Sequence, residues 1–160
     1  MKKIILTVLM LSILLPSALF AASPSDEEVY EATVAVLSVF GLVFMSSMFG
    51  ETPANVTMDM NMETGYAKIE FEKFPVQDFS NSMSEMMETE VDEEIIFGFK
   101  EMSGKIEVDN AGNLDLDVSL LGGNVKTLVL KSEGEDIVSI EANGESFNHL
   151  KDQLMEKNPE

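Results

Sequence analysis

The sequence predicts an α+β fold in which a long hydrophobic N-terminal helix packs on an antiparallel β-meander of about seven strands, with a short C-terminal amphipathic helix. A charge-free segment at residues 32–50 has the length and composition of a long helix. From residue 55 onward apolar residues alternate with polar ones, as in strands buried on one face. Turns rich in Gly and Asn recur at spacings of about ten residues, which favours antiparallel over parallel pairing.

The chain begins with the pattern of a secretory signal peptide. Two lysines precede a charge-free run at residues 4–20, and small residues follow it at positions 21–23. We therefore expect residues 1–22 to be a cleaved signal peptide and residues 23–160 to form a single α+β domain. A short leader with paired lysines is typical of bacteria, so we expect a periplasmic or secreted bacterial protein.

The composition argues against several classes of partner and site. The net charge is −19, and all ten basic residues are lysines. A surface this acidic repels polyanions, so nucleic acid is not an expected partner. The absence of Cys excludes disulfides, thiolate zinc sites and thiol catalysis. The absence of Arg removes the usual bidentate clamp for phosphate or carboxylate ligands. We expect no cofactor.

Residues 26–49 are predicted to form the first helix. Ser25 and Glu28 have the spacing of a capping box, and Gly50 and Pro53 are typical of a helix end. A thin polar stripe interrupts the apolar circumference of this helix and consists of Glu27, Glu31, Ala35, Ser38 and Ser46. A helix of this kind is one that a sheet encloses almost completely.

The same helix leaves two alternatives open. Residues 32–50 are long enough to cross a bilayer, so the protein could be tethered to a membrane by this segment. The helix could also dock on a protein partner. The flanks argue against a spanning helix, because Glu51 follows it directly and no basic residue occurs between the helix and Lys68. We therefore favour a buried core helix over a membrane anchor.

The remaining elements follow from the alternation and from turn residues. Strands are predicted at residues 56–62, 67–72, 95–99, 106–108, 114–120, 125–131 and 137–142. Residues 75–94 lack alternation and are predicted to be a loop with a short helix near residues 82–90. Residues 102–104 and 122–124 are predicted turns. Apolar residues at spacings of three and four predict a helix over residues 145–157.

The candidate ligand-binding residues are Met58, Met60, Met62, Phe97 and Phe99. Their side chains are predicted to lie between the helix and the sheet, where they either fill the core or line an apolar cavity. The core interpretation is the simpler one. The favoured function is a non-enzymatic structural or binding module, with an apolar small molecule or a protein as its partner.

A metal carrier is the remaining alternative. Thioethers bind Cu(I), and methionines cluster in the first strand and at residues 83–87. The acidic string at residues 109–117 resembles a calcium loop only loosely, because the Asp-x-Asn-x-Asn-Gly order and the closing Glu are missing. We assign no metal ligand.

His149 is the single histidine and no nucleophile accompanies it, so no catalytic residue and no enzymatic activity are predicted.

Overall fold

A computed structural model describes residues 23–86 and 98–156. It contains a seven-stranded antiparallel sheet in which the spatial order of the strands equals their order in the chain. The strands are β1 (Val56–Asn61), β2 (Tyr66–Pro75), β3 (Glu101–Val108), β4 (Leu114–Leu121), β5 (Thr127–Glu133), β6 (Asp136–Ala142) and β7 (Glu145–Ser146). The helices are α1 (Asp26–Met48), α2 (Val76–Met86) and α3 (Lys151–Glu156), with one 3₁₀ turn at Asn148–Leu150. The predicted α+β meander is confirmed. The predicted signal peptide lies outside the described residues.

Helix α1 begins at the predicted capping box. The Ser25 hydroxyl accepts a hydrogen bond from the Glu28 N–H (3.2 Å), and the Glu28 carboxylate accepts one from the Ser25 N–H (2.8 Å). Both N–H groups would otherwise lack a partner within the helix. At the other end Gly50 has a φ of +86°, the left-handed conformation that ends many helices. The predicted helix, 26–49, differs from α1 only at its last residue.

Helix α1 contacts the sheet through a seam that is mostly valine. The buried residues are spaced three or four apart and are Val29, Thr33, Val36, Val39, Val43 and Ser46. The expectation that the sheet encloses almost the whole helix is wrong. Within an apolar stretch of 18 residues in α1, only 33 % is buried. Ser46, which was predicted to belong to the polar stripe, is buried instead. Its hydroxyl lies in the seam and donates to the carbonyl oxygen of Glu51 (2.7 Å).

Helix α1 crosses the sheet from one edge to the other. At its start, the Ser23 hydroxyl donates to the Glu145 carboxylate in β7 (2.8 Å), and Nε2 of His149 lies 2.8 Å from the Asp26 carboxylate. At its end, residues 49–55 lead into β1, the opposite edge strand. A helix of 23 residues is about 34 Å long, whereas seven strands span about 29 Å. One helix therefore extends across the full width of the sheet.

Strand β3 runs through the predicted turn at residues 102–104, which is a correction to the sequence interpretation. Gly104 has a φ of +131°. A Cβ atom on it would overlap the carbonyl oxygen of Asp117 in β4. Glycine is required here because the backbones of β3 and β4 approach closely. A glycine in the sequence can therefore indicate close approach within a strand as well as a turn.

Strand β2 bends next to this glycine. The pairing with β3 shifts by one residue between Phe71 and Phe74, as in a β-bulge. At the bulge Lys73 adopts a φ of +48°, and its N–H donates to the Ser103 hydroxyl (2.9 Å). Beyond the bulge, the Phe74 ring is buried and its centroid lies 5.1 Å from that of Phe79 in α2. The bend therefore directs the end of β2 into helix α2.

Three further predicted elements differ from the structure. The part of the expected helix at residues 82–86 belongs to α2, which starts at Val76 directly after β2, and residues 87–90 lie outside the described chain. Within the predicted strand at residues 95–99, residues 98 and 99 belong to no strand, and residues 95–97 lie outside the described chain. The predicted helix at residues 145–157 instead comprises β7, the 3₁₀ turn and α3. The physical reason is the Asn-Gly turn at residues 143–144, which reverses the chain and adds one more strand pair.

The C-terminal segment covers the part of the β6 edge that β7 leaves unpaired. The Ile140 N–H donates to Oδ1 of Asn148 (2.9 Å), and the Lys151 ammonium donates to the carbonyl oxygen of Val138 (3.1 Å). Phe147 and Leu150 are buried in the core beneath this edge. Unpaired strand edges invite pairing with other chains, and side chains that satisfy their backbone groups suppress it.

A candidate ligand cleft beside helix α1

A cleft of about 840 Å³ lies between the first half of α1 and residues 122–126, which connect β4 to β5. It is partly open to solvent. Pockets for small molecules have volumes of roughly 300–1,000 Å³, so this cleft has the size of a binding site. It lies at the junction of helix and sheet, where the sequence predicts an apolar site, but most of the residues that form it are different ones.

Part of the cleft lining is glycine backbone. Gly98, Gly122 and Gly123 form this part. A Cβ atom on Gly123 would lie 2.6 Å from the carbonyl oxygen of Gly98, so the two segments touch through their backbones. The N–H of Lys100 donates to the carbonyl oxygen of Leu121 (2.7 Å) and holds these segments together. Gly122 and Gly123 allow this close approach, and a Cβ atom on Gly98 would meet open space.

Several other lining residues are small or apolar. Ala32 and Ala35 lie three positions apart, so they face the cleft from the same side of α1. Phe99, Leu120 and Val125 also line the cleft, and all three are buried. The interior therefore suits the apolar body of a ligand.

Glu28 connects helix α1 to the β4–β5 connection at the rim of the cleft. Its carboxylate accepts the Ser25 N–H described above, and its Oε1 accepts a hydrogen bond from Nδ2 of Asn124 (2.5 Å). The bond from the Ser25 backbone, followed by that from Asn124, lowers the pKa of Glu28 below its ordinary value. Hydrogen bonds to a carboxylate have this effect because they stabilise its charged form.

Asn143 organises the connection from the opposite side. Its Oδ1 accepts hydrogen bonds from the N–H groups of Lys126 (2.6 Å) and Thr127 (3.2 Å), and its Nδ2 donates to the carbonyl oxygen of Asn124 (2.9 Å). Asn143 can do this because it adopts a left-handed φ of +51°, which asparagine tolerates better than most residues. The cleft is therefore built from segments that hydrogen bonds hold in place on both sides.

The structure describes four of the five predicted ligand-binding residues, and among these four Phe99 lines the cleft beside α1. Met58 and Met60 are half-buried in edge strand β1, and Met62 lies just beyond it with 69 % of its side chain exposed. Phe97 is outside the described residues. Phe99 is 3 % exposed and lines the 840 Å³ cleft. The apolar site formed by all five residues stays a prediction.

The acidic string at residues 109–117 comprises the β3–β4 turn and the first residues of β4, and its first carboxylate, that of Asp109, accepts several hydrogen bonds. Asp109 accepts bonds from the N–H groups of Ala111 (2.8 Å) and Asn113 (2.9 Å) and from Nδ2 of Asn113 (3.0 Å). These bonds, above all those from Asn113, lower the pKa of Asp109. Within residues 23–86 and 98–156, no three His, Asp or Glu side chains converge as metal ligands would.

Sequence reasoning missed the cleft residues because their signals have common structural explanations. Residues 122–124 have the composition of a turn, and Ala32 and Ala35 resemble ordinary helix residues. Gly122 and Gly123 together with Ala32 and Ala35 were the available signal, because glycines permit close backbone approach and alanines leave space at an interface between elements. In comparisons with known proteins, no family model, curated protein or solved structure matches this chain.

Proposed function

We propose that the protein is an exported, acidic, non-enzymatic binding module that holds a small molecule with an apolar body in the cleft beside α1. The observation that carries this proposal is the cleft itself, with about 840 Å³ of space and a lining that is partly apolar. Hydrogen bonds of Glu28 and Asn143 fix its two sides. A preformed site binds more strongly than a mobile one because less conformational entropy is lost on binding.

The polar groups of the cleft support binding over catalysis. The Ser38 hydroxyl donates to the carbonyl oxygen of Val34 within the helix (2.8 Å), and the Lys126 ammonium donates to that of Gly123 (2.5 Å). A serine nucleophile needs an adjacent base that accepts its proton. In the described lining, Ser38 donates its hydroxyl proton to the helix backbone instead.

The test is binding of the neutral fluorescent probe N-phenyl-1-naphthylamine. We expect its emission to rise with wild-type protein and to rise much less with Ala35→Phe, because a phenyl ring at position 35 fills the cleft. Ala111→Phe is the matched control, since Ala111 is exposed in the β3–β4 turn. Equal probe binding by the wild type and Ala35→Phe, with both proteins folded, would contradict the proposal.

A second candidate function is membrane association through residues 32–50. It is favoured by the end of α1, where large apolar side chains are exposed: Met45 by 56 %, Met48 by 53 % and Phe49 by 82 %. Spanning a bilayer would require the valine seam to leave the sheet. Attachment of this end of α1 to the membrane surface would preserve the fold.

Carbonate extraction tests spanning, because a spanning protein stays in the membrane pellet. Sedimentation with phosphatidylcholine vesicles tests attachment, with a triple Met45→Ser, Met48→Ser, Phe49→Ser variant as the comparison.

A further inference from the structure

The polar groups at the rim of the cleft have an unequal distribution of charge. Four titratable residues line it: Glu28, Tyr30, Glu31 and Lys126. Two of them are carboxylates and one is an ammonium group. The Lys126 ammonium already donates to the carbonyl oxygen of Gly123. The rim therefore has an excess of negative charge and of hydrogen-bond acceptors.

Glu31 is the carboxylate that remains available. It is exposed, and within the described residues it forms no hydrogen bond or ion pair. Glu28 lies one turn earlier on the same helix, and side chains three positions apart on a helix are neighbours, about 5–6 Å apart at Cβ. An ammonium group held between these two carboxylates would donate a hydrogen bond to Glu31. The negative charge of Glu28 would attract it as well.

The apolar interior requires a second property of the ligand. Ala32, Ala35, Phe99 and Leu120 present hydrocarbon surface directly inside the rim. A fully hydrated inorganic cation gains nothing from such a surface, whereas an organic cation buries its apolar body there. The net charge of −19 acts in the same direction, because it raises the local concentration of cations.

We infer that the ligand is a small amphipathic cation, an amine whose apolar body occupies the cleft and whose ammonium group lies at Glu31 and Glu28. This inference rests on the proposed function and narrows it to one chemical class. The carboxylates select the charge, while the glycine-lined space and the alanines select the size.

The experiment uses three compounds of one shape: 1-naphthylmethylamine as the cation, 1-naphthalenemethanol as the neutral analogue and 1-naphthoate as the anion. Binding is measured by isothermal titration calorimetry with wild-type protein, Glu31→Gln and Ala35→Phe. We expect the amine to bind about fivefold more tightly than the alcohol, the size of one favourable surface ion pair, and the naphthoate to bind most weakly. Glu31→Gln should remove most of the difference between amine and alcohol, and Ala35→Phe should weaken both compounds.

A distant charge provides the control. Asp59→Gln removes one exposed carboxylate from β1, at the sheet edge opposite to β7, and should leave the preference for the amine unchanged. If Asp59→Gln reduces the preference for the amine over the alcohol as much as Glu31→Gln does, the net negative charge of the whole protein causes this preference. The carboxylates of the rim then do not cause it, and the inference is overturned.

The failures of the two proposals are distinguishable. If amine and alcohol bind equally and both are lost in Ala35→Phe, the cleft is a binding site and the inference about charge is wrong. If none of the three compounds binds, or if Ala35→Phe has no effect on any of them, the proposed function fails together with the inference.

Discussion

Asn124 donates a hydrogen bond of 2.5 Å to the carboxylate of Glu28, across 96 positions of sequence. Glu28 belongs to the first turn of α1, and Asn124 lies in the connection between β4 and β5. The same carboxylate closes the capping box with Ser25. One side chain therefore begins the helix, attaches it to the sheet and forms part of the cleft rim.

This arrangement predicts a pH dependence of stability. The pKa of Glu28 in the folded protein lies below the ordinary value of 4.5, so its contribution is complete above that pH and is lost as pH falls through the folded pKa. Asp109, whose pKa is also lowered, titrates in the same acidic range. We expect Glu28→Gln to show a smaller loss of unfolding free energy below pH 4.5 than the wild type, measured by urea denaturation at a series of pH values.

The control for this prediction is Glu27→Gln, which removes the same charge from the same turn without affecting the bonds to Ser25 and Asn124. It should keep the acid sensitivity of the wild type. Identical pH profiles for Glu28→Gln and the wild type would show that the hydrogen bonds of Glu28 do not contribute to stability.

The valine seam predicts unequal effects for two substitutions in one helix. Val36 is fully buried, whereas Val34 is 41 % exposed and lines the cleft. We expect Val36→Ala to lower the free energy of unfolding by about 2 kcal/mol, because it removes two buried carbon atoms and leaves a cavity. Val34→Ala should change it by less than about 0.5 kcal/mol. Chemical denaturation measures both, and equal effects would mean that α1 does not pack on the sheet through this face.

The close approach of β3 and β4 predicts that Gly104 cannot be replaced. Gly104→Ala combines a positive φ with an overlap between its Cβ and the carbonyl oxygen of Asp117, and we expect a loss of about 3 kcal/mol or more. Gly112 has a φ of +81° but open space around it, so Gly112→Ala should cost only the conformational strain, about 1 kcal/mol. Melting temperatures of the two variants would be compared. Similar losses would indicate that β3 and β4 are farther apart than described.

Two adjacent serines at the end of α1 are expected to respond in opposite directions. The hydroxyl of Ser47 is buried and has no hydrogen-bond partner among the described residues, whereas that of Ser46 donates to Glu51. Ser47→Ala should therefore raise the free energy of unfolding, by up to about 1 kcal/mol, since it removes an unsatisfied buried group. Ser46→Ala should lower it, because the carbonyl oxygen of Glu51 loses its donor. Urea denaturation of both variants checks the prediction, and destabilisation by Ser47→Ala would contradict it.

Elements defined by local signals were predictable in detail. The capping box of Ser25 and Glu28 and the glycine at position 50 place both ends of α1 within one residue of the structure. The strands around residues 56–61 and 114–121 follow from strict alternation. These signals depend only on neighbours in the chain, so the sequence contains them completely.

Elements defined by partners far away in sequence were not predictable. Gly104 has the composition of a turn residue, and only its distance to Asp117 identifies it as a close contact within β3. Ser46 fits a polar stripe by periodicity, and only the position of the sheet places it in the buried seam. The cleft was missed for the same reason, because residues 32–35, 98–99 and 122–126 are separate in the chain and meet only after folding.

The sequence by itself determined the fold class, the acidic surface, the start and end of the long helix and the alternating faces of the strands, because hydrophobic periodicity and capping are local properties. The tertiary structure alone decided which face of α1 is buried, where the strands bend and where a cleft remains open. Those features depend on which side chains meet, and a contact such as that between Glu28 and Asn124 exists only when the helix lies across the finished sheet.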